Sequence, residues 1–110
     1  MLFDIVGKHI EISEALKIYA KEKTSKLPRF YNSVNHIEVV IDGSVDSPEN
    51  NVSVEIIVRG QHKNMVFVVT EAGKDAYKCI DFAVRKLERQ LRRHKNKERN
   101  NKHTQSGKPK

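Results

Sequence analysis

The 110-residue chain predicts an α+β fold of order β-α-β-β-β-α, a four-stranded sheet with two helices packed on one face. Three observations lead there. Apolar residues alternate through 35–42, 52–60 and 65–70, the pattern of half-buried strands. Two other stretches, 14–27 and 71–95, repeat their apolar residues at helical spacing. The length suits one domain, and 37% hydrophobic residues can fill a thin core while leaving a large polar surface.

The elements follow in chain order. "FDIV" at 3–6 reads as a short strand with Phe3 and Ile5 on one face, ended by Gly7. Ser13 is placed to cap a helix from Glu14 to about Leu27, where Pro28 stops it. Leu16, Tyr19, Ala20 and Leu27 share one side of that helix, and Lys23 falls on the same line. A lysine there either lays its stem over the core edge or meets an anion. "NHIEVVID" at 35–42 alternates through Ile37, Val39 and Ile41, and "GSVDSPENN" at 43–51 has loop composition. "VSVEIIVRG" at 52–60 alternates through Val52, Val54, Ile56 and Val58; "QHKN" turns the chain into "MVFVVT" at 65–70. The closing helix is expected from near Glu71 to about Lys95. Short links make the last three strands antiparallel, and a crossover through the first helix sets the first strand parallel to a neighbour. Neither helix can bury its stripe alone, so both belong on the sheet.

Charge divides the chain more sharply than hydropathy does. Residues 85–110 hold eleven Lys/Arg against two Glu, whereas residues 1–84 hold ten against twelve acids. The net +7 is therefore gathered at one end, which points to a polyanionic partner. The segment 96–110 contains no apolar residue and is expected to be a disordered basic tail behind a domain of residues 1–95. No apolar run approaches the roughly 18 residues of a membrane span. "MLFDIVGK" lacks the pattern of a secretory signal, and the single Cys79 suits a reducing compartment, so a cytoplasmic location is expected.

Nothing assembles into a catalytic or cofactor signature. His9, His36, His62, His94 and His103 are far apart and none has a metal-ligand spacing with an acid. Cys79 lies beside an apolar stripe and reads as an inert small hydrophobe. The five glycines form no phosphate loop. No enzyme, metal, cofactor or small-molecule substrate is expected.

The informative stretch is "DAYKCIDFAVRKLERQLRRHK" at 75–95. Ala76, Ile80, Ala83, Val84, Leu87 and Leu91 gather on one side of that helix. Opposite them lie Lys78, Arg85, Lys86, Arg89 and Arg93, with Lys74 and Arg92 at the border. A solvated helix face usually mixes signs and gains from pairs one turn apart, yet beyond Asp81 only Glu88 is acidic. A membrane-surface helix would need its apolar face free, and here the sheet needs it. Phosphate binding fits better, because a planar guanidinium grips phosphate through two hydrogen bonds. With no tryptophan and with Phe3 and Phe67 set among core positions, the expected readout is RNA backbone and shape more than sequence.

Two segments give the chain a family resemblance, "GKHIEISEALKIYAKEKTSKL" and "DAYKCIDFAVRKLERQLRRHK". In the second, Asp75, Tyr77, Ile80-Asp81, Lys86-Leu87, Gln90-Leu91 and His94-Lys95 stand at family-like positions. From residue 1 to about 97 the chain resembles the bacterial ribosome hibernation-promoting factors and the ribosome-associated inhibitor called protein Y. That resemblance implies the β-α-β-β-β-α fold and a translation inhibitor of slow growth or starvation. It implies occupation of the messenger and transfer RNA channel of the small ribosomal subunit, through contacts to ribosomal RNA. Carried over position by position, it points to Lys23, Lys26, Lys86 and Lys95; the charge pattern adds Lys78, Arg85, Arg89, Arg92 and Arg93. Long members have an extra C-terminal domain that pairs ribosomes, and this chain resembles the short form. Some short forms act with a separate ribosome modulation factor and others hold single ribosomes inactive; the resemblance leaves both outcomes open. Two other readings stand beside it. One is a general double-stranded-RNA-binding module, although such domains load the start of their last helix. The other is a protein-interaction module docking an acidic partner.

Overall fold

The computed structural model describes residues 1–45, 47–61 and 65–107, with the side chains of the last helix described as far as Lys97. Strand β1 (Leu2–Lys8) leads to helix α1 (Glu14–Thr24) and a short 3-10 turn (Leu27–Arg29). Strands β2 (Val34–Asp42), β3 (Val52–Gly60) and β4 (Val66–Gly73) follow, and helix α2 (Ala76–Gly107) closes the chain. The sheet runs β1-β2-β3-β4, with β1 parallel to β2 and the other pairs antiparallel. This is the expected mixed sheet, with the crossover through α1 providing its one parallel pair.

The alternation decides which face is the core. Ile37, Val39 and Ile41 of β2 and Val52, Val54, Ile56 and Val58 of β3 are buried against the helices, joined by Val69 of β4. Phe3 and Ile5 of β1 pack at the margin of the same cluster. Val34 is buried too, although it is three residues from Ile37; an irregularity in the β2–β3 register between Val34 and His36 resets the parity. Leu16, Ala20 and Leu27 supply the α1 side of the core, and Ile80, Ala83, Val84, Leu87 and Leu91 supply the α2 side. Burying one such Leu or Ile contributes roughly 1.5–3 kcal/mol, so these periodic stripes position everything that follows.

The local chemistry explains several element ends, including those that differ from expectation. Ser13 caps α1 as its sequence position predicts, its hydroxyl accepting from the Leu16 N–H at 3.1 Å. That helix ends at Thr24, short of Leu27. The buried Thr24 hydroxyl donates back to the Ala20 carbonyl at 2.8 Å, and the 3-10 turn holding Pro28 then buries Leu27. Gly7 does not end β1, which continues to Lys8. The glycine serves a close approach instead: a β-carbon there would stand 2.6 Å from the Ile10 carbonyl oxygen. The chain reverses just beyond, at His9, which adopts the left-handed φ of 59°.

Residues 71–73 belong to β4 and not to the last helix. Their register against β3 pairs Glu71 with Val54, Ala72 with Ser53 and Gly73 with Val52. The helix begins only at Ala76, where the Asp75 carboxylate accepts from the Tyr77 N–H at 2.9 Å. Its far end also differs, running to Gly107 where about Lys95 was expected. No glycine or proline interrupts residues 96–106, and polar residues such as Lys, Arg, Glu and Gln sustain a helix. Leu91 is the last buried residue among those described, and one turn later His94 still packs edge-on against Phe67 of β4 at 5.4 Å and against Tyr31 at 5.1 Å between ring centroids. Three residues of the "QHKN" turn, 62–64, lie outside the described residues, as do 108–110 of the tail.

Candidate nucleic-acid interface

Helices α1 and α2 pack beside one another and carry eight of the nine candidate cations; Lys26, expected on the first helix, lies just past its end at Thr24, before the 3-10 turn. A side-chain hydrogen bond joins them. The Tyr19 hydroxyl of α1 donates to the Asp81 carboxylate of α2 at 2.6 Å. That hydrogen bond, helped by burial, pushes the Tyr19 hydroxyl up to about 12, so it stays a protonated donor at any physiological pH. The Tyr77 ring meets the Tyr19 ring edge-on at 4.9 Å between centroids. Lys23 lies across Tyr19, its ammonium 5.4 Å from the ring centroid. Its odd place on the apolar line of α1 thus has a physical reason: the stem covers Tyr19 while the charge stays at the surface.

Two sets of cations meet there. Lys23 and Lys26 face Arg85 across a small cleft whose other walls are Asp81 and Val84. Asp81 puts one carboxylate among three cations, and it is already engaged by Tyr19. A shallow shelf along α2 is lined by Lys86, Arg89, Gln90 and Arg93. Lys78 and Lys95 are exposed near the two ends of this stretch.

The candidate cations are not equivalent. Lys86 forms an ion pair with Glu71 of β4, whose Oε2 is buried with no aligned hydrogen-bond donor. Lys86 thus has a partner on β4, yet its side chain is half exposed and also lines the shelf beside Arg89 and Arg93. Arg92 pairs with Glu88 one turn before it at 3.1 Å and also stacks over Phe30 at 4.8 Å. Arg85 lies over the Phe82 ring at 5.7 Å. Arg89 and Arg93 make no ion pair among the described residues, and both are exposed. Exposed Lys78, Arg85 and Lys95 likewise make no ion pair among the described residues, so these five cations of α2 are open to an external anion.

Sequence reasoning missed three features of the site. The Tyr19–Asp81 bridge joins residues far apart in the chain, and no local spacing signals it. The Glu71–Lys86 pair is hidden because Glu71 was assigned to the helix. Phe82 is 48% exposed in the middle of the cationic face, and its spacing three and four residues before Arg85 and Lys86 is the signal that places it there. Cys79 is buried, and burial with the nearby Glu71 and Asp75 charges pushes its thiol up, consistent with an inert side chain. Among the described residues no three His, Cys, Asp or Glu gather as metal ligands, and no helix is long and apolar enough to cross a membrane.

These features define a class first: a small α+β protein that presents a cationic layer of two helices on one side of a mixed sheet. The chain belongs to the family described as Sigma 54 modulation protein / S30EA ribosomal protein, which matches residues 3–99. This is the family of the ribosome hibernation factors and not one of enzymes. Among its relatives is the ribosome hibernation promoting factor of Escherichia coli K12, 31% identical over 97 residues, covering 88% of this chain and 96% of the relative. The ribosome hibernation promotion factor of Lactococcus lactis is 30% identical over 93 residues, covering 84% of this chain but only 49% of the relative. The chain thus spans about half of that longer protein and nearly all of the shorter one. Among solved structures, the N-terminal domain of Thermus thermophilus Protein Y superposes with a TM-score of 0.67 at 27% identity, covering 83% of this chain and 94% of that domain. A ribosomal subunit interface protein from Coxiella burnetii shares the fold, with a TM-score of 0.74 at 21% identity, over 87% of this chain and 99% of its own.

Proposed function

We propose that this protein is a cytoplasmic inhibitor of translation that binds the small ribosomal subunit during slow growth or starvation. It occupies the channel of messenger and transfer RNA and works by steric exclusion. The α1–α2 face supplies contacts to ribosomal RNA phosphates through Lys23, Lys26, Lys78, Arg85, Lys86, Arg89, Arg92, Arg93 and Lys95, with Lys86 also paired to Glu71 of β4. The observation that carries this reading is the pair of exposed arginines, Arg89 and Arg93, without an internal counter-ion among the described residues. The relatives named as hibernation factors support it. A separate ribosome modulation factor belongs among the candidate partners, and whether ribosomes are paired or held singly depends on it.

The reading is tested by co-sedimentation with ribosomes across a salt series, with and without nuclease. Phosphate contacts release counter-ions, so a few of them should cost about a decade or more of affinity between low and physiological salt. Nuclease should abolish co-sedimentation. A flat salt response, or binding that survives RNA digestion, points to an acidic protein partner instead.

A further inference from the structure

We infer that Phe82 is a stacking platform for an unpaired nucleobase, set in the centre of the phosphate-binding face. This rests on the proposed RNA-binding role and adds to it a second kind of contact.

Phe82 is a large apolar side chain that the fold does not use. Its neighbours Ile80, Ala83 and Val84 fill the core side of α2, while Phe82 is 48% exposed. At about 100° per residue, Lys78, Arg85, Lys86, Arg89 and Arg93 all fall within about 60° of it around the helix. Those on one flank are Lys78, Arg85 and Arg89, and those on the other are Lys86 and Arg93. The ring is thus bracketed by cations. Its recorded internal partner is the Arg85 guanidinium, 5.7 Å from the ring centroid. That places a cationic guanidinium over an exposed aromatic ring at the surface.

The chemistry of the surroundings selects the ligand. An apolar protein surface laid on Phe82 would have to strip water from at least four cations at once, a large cost without counter-charges. An acidic peptide would satisfy the cations and leave the ring in contact with polar atoms. A nucleotide answers both demands, because each carries a π-face and an anionic phosphate. Bases stack on aromatic rings regardless of sequence, and on guanidinium planes as well. A paired base within a duplex has its faces covered, so the matching element is a bulged, looped or single-stranded nucleotide.

The test uses the full chain with Phe82→Ala, Phe82→Leu and Phe82→Trp. Alanine is the better helix former at an exposed position, so folding is not at risk. Ribosome co-sedimentation of the Ala and Leu variants should weaken by roughly five- to hundredfold, while Trp holds or improves. The salt dependence should keep its slope, because no charge has changed. The chain contains no other tryptophan, so Phe82→Trp gives a single emission signal. That signal should be quenched by an eight-nucleotide oligoadenylate and not by a blunt RNA duplex of equal length. Parental binding by the Ala variant overturns the inference, and so does rescue by Leu, which would indicate a merely apolar contact. Binding of the oligoadenylate without quenching also overturns it. These outcomes leave the proposed function standing if the parent still binds ribosomes in an RNA-dependent way. A parent that does not bind ribosomes removes that function itself.

Discussion

The two faces of this molecule treat charge in opposite ways. On the open face of the sheet, polar side chains answer each other across strands. The His36 ring lies within hydrogen-bond distance of the Asp4 carboxylate at 2.9 Å, and Arg59 pairs with Glu38 at 3.3 Å. Exposed Leu2, Val6, Val66 and Val68 lie among them. On the helix face, Arg89 and Arg93 stand exposed with no such answer among the described residues. Exposed ion pairs contribute little to stability, about 0–1 kcal/mol, so neither pattern is there to hold the fold together. The difference is one of vacancy. The sheet face pairs Arg59 with Glu38, whereas the helix face pairs Lys86 and Arg92 but leaves Arg89 and Arg93 without a built-in counter-charge among the described residues.

The largest effect should come from filling that vacancy with the wrong sign. Changing Arg89 and Arg93 together to Glu should abolish ribosome co-sedimentation and inhibition in a cell-free translation assay. Stability should move by only about half a kcal/mol per substitution. Arg59→Ala on the sheet face is the matched surface control and should bind as the parent does. A core control, Leu87→Ala, should cost roughly 2–5 kcal/mol in a denaturant melt and damage folding first. If the double-Glu protein binds and inhibits normally, the two faces differ in charge but not in function.

A smaller effect is expected at the bridge between the helices. Removing the Tyr19 hydroxyl as Tyr19→Phe leaves Asp81 without its donor and should cost about 1 kcal/mol. The pH dependence gives a sharper signature. Tyr19 is raised from its ordinary value near 10 to about 12 in the folded protein. The neutral phenol is therefore favoured by folding: its contribution is complete below pH 10 and is lost as pH rises through 12. Comparing melts of parent and Tyr19→Phe across that interval should show the difference between them shrinking as pH rises. A constant difference would mean that the hydroxyl does not engage Asp81.

The smallest effect on stability should follow truncation from Asn96. The removed residues include no apolar side chain, and the last buried residue of the helix is Leu91. We propose that residues 1–95 fold alone, with a thermal transition close to that of the full chain. Ribosome affinity should fall moderately as the basic residues are lost. A collapsed transition would move the domain boundary into the tail.

Much of the fold was legible because the core positions repeat with the period of their element. Ile37, Val39 and Ile41, and Val52 through Val58, name both the strands and their buried face; Ile80, Leu87 and Leu91 do the same for α2. The boundaries were less legible, since they depend on partners distant in sequence. Residues 71–73 look like a helical onset until β3 pairs with them, and Gly7 looks like a breaker until Ile10 packs over it. The candidate cations could be named from spacing alone. Their inequality could not, because it depends on Glu71 reaching Lys86 from another element and on aromatic rings beneath Lys23, Arg85 and Arg92.

The extension of α2 beyond the sheet has a kinetic meaning. From His94, which still packs on Phe67 of β4, to Gly107 the helix rises about 20 Å, and the whole molecule measures 53 × 29 × 20 Å. Eleven of its twenty-one basic residues lie from Arg85 onward, so the centre of charge is displaced along the long axis from the centre of mass. In the field of a polyanion such a body feels a torque as well as an attraction. It turns during diffusion, so that the basic end leads before any contact forms. A larger share of encounters then begins in a usable orientation, and salt, which shortens the reach of that field, slows arrival.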